Sequence, residues 1–131
     1  MADRDDVVRI ARSLPEVVVE EDGDRYALSV PRGGKHKGIA WTWMERVEPG
    51  RPRVPNPAVL AVRVENGSEK EMLLAAGPDV FFTEPHYNGF PAVLVRLAAI
   101  GADELAELIT DGWRCQAPRG LVREFDRRRD A

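Results

Sequence analysis

The chain has 131 residues, of which 44% are hydrophobic and 31% are charged, and this composition is typical of one globular domain rather than of a disordered chain. The formal net charge of −3 argues against a uniformly basic surface, so contact with nucleic acid would have to come from a local patch. No run of about 18 apolar residues occurs, and we therefore expect no segment that spans a membrane.

The cysteine count and the N-terminus indicate the compartment. Cys115 is the only cysteine, so the chain cannot form an internal disulfide or supply a cysteine-based zinc site. The first six residues are acidic and lack the apolar segment of a secretory signal. We expect a cytoplasmic protein without a bound metal or cofactor, and the sequence is compatible with a monomer.

The first element is a helix over residues 3–13. Asp3 is the expected N-cap, and the acids that follow it suit the positive end of the helix dipole. The apolar positions recur at helical spacing and predict one buried stripe, made of Val7, Ile10, Ala11 and Leu14. Residues 16–24 are acidic and are predicted to be partly extended.

Three strands follow. Residues 25–30 and 39–44 are joined by a Gly-Gly turn within residues 31–38 and predict a β-hairpin. Alternation places Ile39, Trp41 and Trp43 on one strand face. Residues 48–57 are rich in proline and predict an extended loop or edge segment, and residues 58–64 predict the third strand.

The second half alternates helices and strands. Ser68 and Glu71 have the spacing of a capping box and predict a helix over 68–76. The strands that follow span 80–83 and 92–98, and the second of them is predicted to be apolar on both faces. A helix is predicted over 102–114, with Trp113 on its apolar face, and 119–131 is predicted to be a basic tail that docks through one short turn. The order α-β3-α-β2-α predicts an α+β domain of two layers, with an antiparallel sheet and residues 1–118 as its body.

The segment 81–97, Phe-Phe-Thr-Glu-Pro-His-Tyr-Asn-Gly-Phe-Pro followed by Ala-Val-Leu-Val-Arg-Leu, resembles the signature of the MmcQ/YjbR family. The Leu-Pro-Glu-Val at 14–17 and the segment 104–118 resemble the same family, so the resemblance covers nearly the whole chain. It implies a compact α+β fold similar to secretion-chaperone-like and CyaY-like folds. It also implies DNA binding through wing-like projections.

The candidate DNA contacts are basic residues in two segments. The Gly-Gly turn lets a backbone approach phosphates, which cationic side chains neutralise, although an ordinary solvated turn has the same composition. No helix carries clustered Arg, Asn or Gln for reading bases, so the predicted contacts go to phosphates. The candidates are Arg32, Lys35, His36 and Lys37 of the turn and Arg46, Arg51 and Arg53 of the proline-rich segment, with help from the arginines of the basic tail.

The loop before the last strand supports an alternative function. His86, Tyr87 and Asn88, together with Trp41, would form the lip of a pocket in a protein-binding or ligand-binding module. A structural turn explains the same residues, because Pro85 and Pro91 would fix its ends and Asn88-Gly89 would supply its corner.

Catalytic chemistry has no recognisable basis in the sequence. His36 and His86 are the only histidines, and neither has a carboxylate at metal-ligand spacing. No nucleophile, base and orienting group can be assembled around His86. The sequence therefore predicts a non-enzymatic protein.

Overall fold

The computed structural model of the protein describes residues 1–130. The order along the chain is one helix, four strands, one helix, two strands and two helices, with short 3-10 turns at Pro85–Tyr87 and Leu97–Ala99. The helices are α1 (Arg4–Arg12), α2 (Gly67–Ala76), α3 (Ala102–Gln116) and α4 (Arg119–Asp130). The strands are β1 (Val18–Asp22), β2 (Arg25–Arg32), β3 (Lys35–Glu45), β4 (Val54–Arg63), β5 (Phe81–Phe82) and β6 (Ala92–Arg96).

The strands form one sheet in the order β1-β2-β3-β4-β6-β5, and every neighbouring pair is antiparallel. The predicted α+β class and antiparallel sheet are confirmed. The main core lies between the helices and one face of this sheet. The predicted stripe of α1 is buried there, and Trp113 of α3 is fully buried, with its indole N–H donating to the carbonyl oxygen of Pro15 at 3.1 Å.

Helix α3 packs very closely against the sheet at Gly112. A Cβ at this position would lie 2.9 Å from the carbonyl oxygen of Arg63 in β4 and 3.4 Å from Cγ2 of Ile39 in β3. Real Cβ atoms essentially never show a contact as short as the first one. The glycine therefore sets how near the helix backbone can come to the middle of the sheet.

A second, smaller cluster lies on the opposite face of the sheet. Strand alternation supplies it from β3, β4 and β6, and Tyr87 of the loop between β5 and β6 covers it. All of residues 92–95 are buried, which confirms the prediction that the last strand is apolar on both faces. The cluster comprises Trp43, Val59, Ala61, Tyr87, Ala92 and Leu94, with Trp41 and Phe82 packed against it.

The predicted common face for Ile39, Trp41 and Trp43 is wrong. Ile39 packs in the helix-side core, whereas both tryptophans pack in the second cluster. The pairing of β2 with β3 is irregular between Leu28 and Ser29, which pair with Ala40 and Gly38 and leave Ile39 as an extra residue. Such a bulge breaks the period of two on which the prediction depended.

Three element boundaries also differ from the prediction. The acidic segment forms a strand, β1, so four strands and not three precede α2. It lies at the edge of the sheet, where its acidic side chains can face solvent. Helix α2 begins one residue early, since the side chain of Asn66, not that of Ser68, accepts a hydrogen bond from the Glu69 amide at 2.9 Å. Strand β4 begins at Val54, and its proline-containing start is paired with β3 alone, as expected of an edge.

The predicted basic tail forms a helix as far as Asp130, and residue 131 lies outside the described residues. Leu121, Val122 and Phe125 pack against the main core. The rings of Phe125 and Trp113 meet edge to face with centroids 4.9 Å apart. Because these three apolar residues lie on one face of the helix and Phe125 packs on the buried Trp113, they dock more of the tail than the single turn that we expected.

Candidate functional site

The hairpin between β2 and β3 separates its basic side chains onto two faces. The turn is shorter than predicted and consists of Gly33 and Gly34, both at positive φ, and Arg32 pairs with Lys35 across it. Val30 points into the main core and pairs with Lys37. Directly opposed residues and residues two apart share a face, so Arg32, Lys35 and Lys37 all lie on the helix side of the sheet, and His36 lies on the other.

Helix α4 lies next to the base of this hairpin. Arg32 lines the same cavity as Arg119 and Arg123, which are one helical turn apart on α4. The side-chain amide of Gln116 at the end of α3 donates to the carbonyl oxygen of Gly38 at 2.9 Å and ties the two segments together. The fold thus brings one predicted contact residue beside arginines that the sequence left in a tail.

The predicted contacts of the proline-rich loop lie elsewhere. Strand β3 runs from Lys35 to Glu45, so Arg46 begins a loop about 33 Å from the hairpin turn. Arg46 donates to the carbonyl oxygen of Arg51 at 2.8 Å, and Arg53 donates to that of Met44 at 3.0 Å. These arginines hold their own loop, and they do not form one continuous surface with the hairpin.

The loop of His86, Tyr87 and Asn88 is a packed structural element. Tyr87 is buried, and its hydroxyl accepts a hydrogen bond from the indole N–H of Trp41 at 3.1 Å. His86 and Asn88 are exposed, and the His86 ring meets the Tyr87 ring edge to face with centroids 5.5 Å apart. Trp41 lines a cavity of about 440 Å³ beside β1, but none of the three loop residues does.

Lys70 anchors this loop, and the sequence analysis did not select it. Its side chain is only 7% exposed, and its ammonium group donates to the carbonyl oxygens of Tyr87 at 2.7 Å and Phe90 at 3.0 Å. Burial lowers the pKa of Lys70 below its ordinary value. The available signal was its position three and four residues before Leu73 and Leu74, on the inner face of α2.

Residues 1–130 contain no metal-binding cluster and no helix that could cross a membrane. No group of three or more His, Cys, Asp or Glu side chains in this range is arranged to hold a metal ion. Within the same range, each helix is too short or too polar to cross a membrane.

Comparison with known proteins gives relatives without an assigned activity. No family model matches the chain. Uncharacterized protein Rv2570 of Mycobacterium tuberculosis and uncharacterized protein Mb2600 of Mycobacterium bovis are each 39% identical to it over 131 residues. Each alignment covers 95% of this chain and 96% of the relative.

The chain belongs to the same family as these mycobacterial proteins. The fold of this chain is similar to that of a solved structure, Deinococcus radiodurans protein DR2400, a DUF419 domain, with a TM-score of 0.64. The match covers 86% of this chain and 77% of that one at 22% identity, so it bears on the fold alone. The chain therefore shares its α+β fold with that DUF419 domain.

Proposed function

We propose that this protein is a non-enzymatic, cytoplasmic member of the MmcQ/YjbR family that binds duplex DNA weakly through phosphate contacts. The family proposal is supported by the motif at 81–97 and by the DUF419 fold of the structural neighbour. The binding surface is the helix-side face of the β2–β3 hairpin together with the first two turns of α4. We call this set the hairpin–α4 surface: Arg32, Lys35, Lys37, Arg119 and Arg123.

The observation that carries the proposal is the shared cavity wall of Arg32 and the two α4 arginines. All five side chains of the hairpin–α4 surface belong to exposed residues, and none of them forms an ion pair among the described residues. Cationic groups that are not already neutralised by carboxylates are those that release counterions from DNA. A local patch of this kind supports binding even though the whole chain has a net charge of −3.

The expected affinity is low and depends strongly on salt. Five phosphate contacts predict a slope of about −4.5 in the logarithm of the association constant against the logarithm of salt concentration. Affinity should then fall roughly 500-fold between about 50 and about 200 mM salt. Contacts of this kind are independent of sequence, so two unrelated duplexes should bind equally.

Fluorescence polarisation with a short labelled duplex at several salt concentrations tests the proposal. The charge reversals Lys35→Glu and Lys37→Glu should each weaken binding and reduce the salt slope by about 1 or more. Arg46→Glu changes the net charge equally at the far end of β3, and it should leave binding nearly unchanged. Absence of binding at low salt, or an equal loss from Arg46→Glu, would refute the hairpin–α4 surface.

A further inference from the structure

A cavity of about 880 Å³ lies at the base of the hairpin–α4 surface. It opens where β4 ends, between the start of α2, the second half of α3 and the first turns of α4. Its size is typical of small-ligand sites. The duplex proposal uses only residues at its rim and leaves its interior without a role.

The cavity wall is rich in guanidinium groups. Arg63 and Arg114 join the three arginines of the hairpin–α4 surface that line it, giving five arginines against the carboxylates of Glu65, Glu69 and Asp111. Arginine is the side chain best suited to bind carboxylate and phosphate oxygens, because its planar fork donates two parallel hydrogen bonds. When Asp126, the ion-pair partner of Arg114, is also counted, the arginines still exceed the carboxylates by one, and this excess of positive charge favours an anionic ligand.

Arg114 provides an independent observation. One terminal nitrogen of its guanidinium donates to Asp126 at 2.6 Å, whereas its Nε is buried and meets no acceptor among the described residues. A buried N–H of a charged group without an acceptor is costly and rare in folded proteins. The Nε has almost no accessible surface, so a bound anion would contact this guanidinium through its terminal nitrogens.

The cavity also has an apolar side. Leu73 of α2, Leu108 of α3 and Val122 of α4 line it together with the arginines. Phosphate groups of a DNA backbone have no favourable interaction with aliphatic side chains. A ligand with a hydrocarbon body would bury these side chains and gain binding free energy from the hydrophobic effect. The arginine-rich wall and the aliphatic wall together favour a ligand that has both an anionic group and an apolar group.

We propose that this cavity binds a small amphiphilic anion, in which a carboxylate or phosphate head contacts Arg114 and Arg123 and a hydrocarbon body covers Leu73, Leu108 and Val122. This inference goes beyond the proposed function, because it concerns a different ligand and an arginine, Arg114, outside the hairpin–α4 surface. The two sites share Arg32, Arg119 and Arg123, so the bound anion also weakens duplex binding by neutralising part of that surface.

Chemical modification of Cys115 provides a binding assay. It lines the cavity and is the only cysteine of the chain, so modification of its thiol by a neutral maleimide reports on this site alone. The pKa of the Cys115 thiol is raised, mainly by burial. Because the thiolate is the reactive form, the reaction is run under mildly alkaline conditions. The probes are octyl phosphate and octanoate below their micellar concentrations, with inorganic phosphate and 1-octanol as the two half-ligands.

At least one of the two amphiphilic anions should slow the modification, and calorimetry should give a dissociation constant for it. Protection by octyl phosphate alone, or by octanoate alone, supports the proposal and identifies the head group. Arg114→Gln should weaken this binding by about tenfold or more, and Arg123→Gln by about threefold or more. Arg46→Gln, at the far end of β3, should have no effect.

Three results would overturn the proposal. One is the absence of protection by either anion at millimolar concentration. Another is equal protection by 1-octanol or by inorganic phosphate, which would mean that only one kind of wall binds. The third is unchanged affinity in Arg123→Gln, a variant of an exposed residue that should fold even if Arg114→Gln does not.

The outcome is separable from that of the duplex proposal. Lys35→Glu should weaken duplex binding and leave anion binding unchanged, because Lys35 does not line the cavity. Arg114→Gln should do the reverse, since Arg114 does not belong to the hairpin–α4 surface. Anion binding without any duplex binding would reject the proposed function alone.

Discussion

Lys70 offers the sharpest test of how the second face of the sheet is covered. It is the only lysine outside the hairpin, and its two hydrogen bonds go to backbone carbonyls of the loop that lies on that face. Lys70→Met keeps most of the aliphatic stem and removes the ammonium group. The variant therefore isolates the anchor from the packing of α2.

The expected loss of stability follows from three contributions. Hydrogen bonds to a charged group contribute about 1.5–3 kcal/mol each, and the carbonyl of Tyr87 would stay buried without a donor at a cost of about 1–3 kcal/mol. Removing the desolvated ammonium returns part of this, which is the same effect that lowers the pKa of Lys70. We expect a net loss of about 2 kcal/mol, or roughly 7 °C in Tm for a domain of this size.

Urea unfolding followed by circular dichroism measures this loss, and native-state hydrogen exchange locates it. Amides of the loop that contains Tyr87 should exchange faster in Lys70→Met by a larger factor than amides of β2 and β3. Lys35→Met makes the same chemical change at an exposed residue and should alter the unfolding free energy by less than about 0.5 kcal/mol. A Lys70→Met protein as stable as the wild type would mean that Tyr87 and the flanking prolines hold the loop without the ammonium.

Two further outcomes follow from the packing and from the ionisation of buried groups. Gly112→Ala should lower the unfolding free energy by about 1–3 kcal/mol despite the better helix propensity of alanine, because its Cβ would meet the carbonyl oxygen of Arg63. Gly120→Ala in α4, which meets nothing within 4 Å, should be neutral or stabilising by up to about 1 kcal/mol, and equal effects at the two positions in urea unfolding would contradict the close approach of α3. Burial raises the pKa of Tyr26 from 10.0 to about 12, so the unfolded chain loses this proton first and stability should fall as pH rises from about 10 to about 12. Tyr26→Phe should lack a part of this decrease on the order of 1–2 kcal/mol, and identical alkaline profiles for the two proteins would show that Tyr26 does not keep its proton in the fold.

Local patterns predicted the elements whose apolar residues repeat regularly. The stripe of α1, the Gly-Gly hairpin, the doubly buried β6 and the core position of Trp113 all followed from spacing and turn chemistry, which depend on neighbouring residues. Prediction failed where pairing overrides the local pattern. Strand β1 forms by pairing with β2 at the edge of the sheet. The bulge at Ile39 arises because β3 has one more residue than β2 between their paired positions.

The candidate sites depended even more on contacts that are distant in sequence. The prediction grouped Arg46, Arg51 and Arg53 with the hairpin because both segments are basic, but an 11-residue strand separates them. It left the arginines of α4 in a tail, although three apolar side chains attach that helix beside the hairpin. Lys70 was not selected, because its hydrogen-bond partners lie 17 and 20 residues away.

The order of residues alone determined the α+β class, the absence of a disulfide and the basic composition of the hairpin, since each depends on composition or on spacing within one element. Tertiary structure decided which charges are free, which are used in backbone hydrogen bonds and which share a cavity wall. The physical reason is that electrostatic and hydrogen-bonding partners are chosen by distance in space, and in this fold the decisive pairs join α2 to the loop before β6 and α4 to the base of the hairpin.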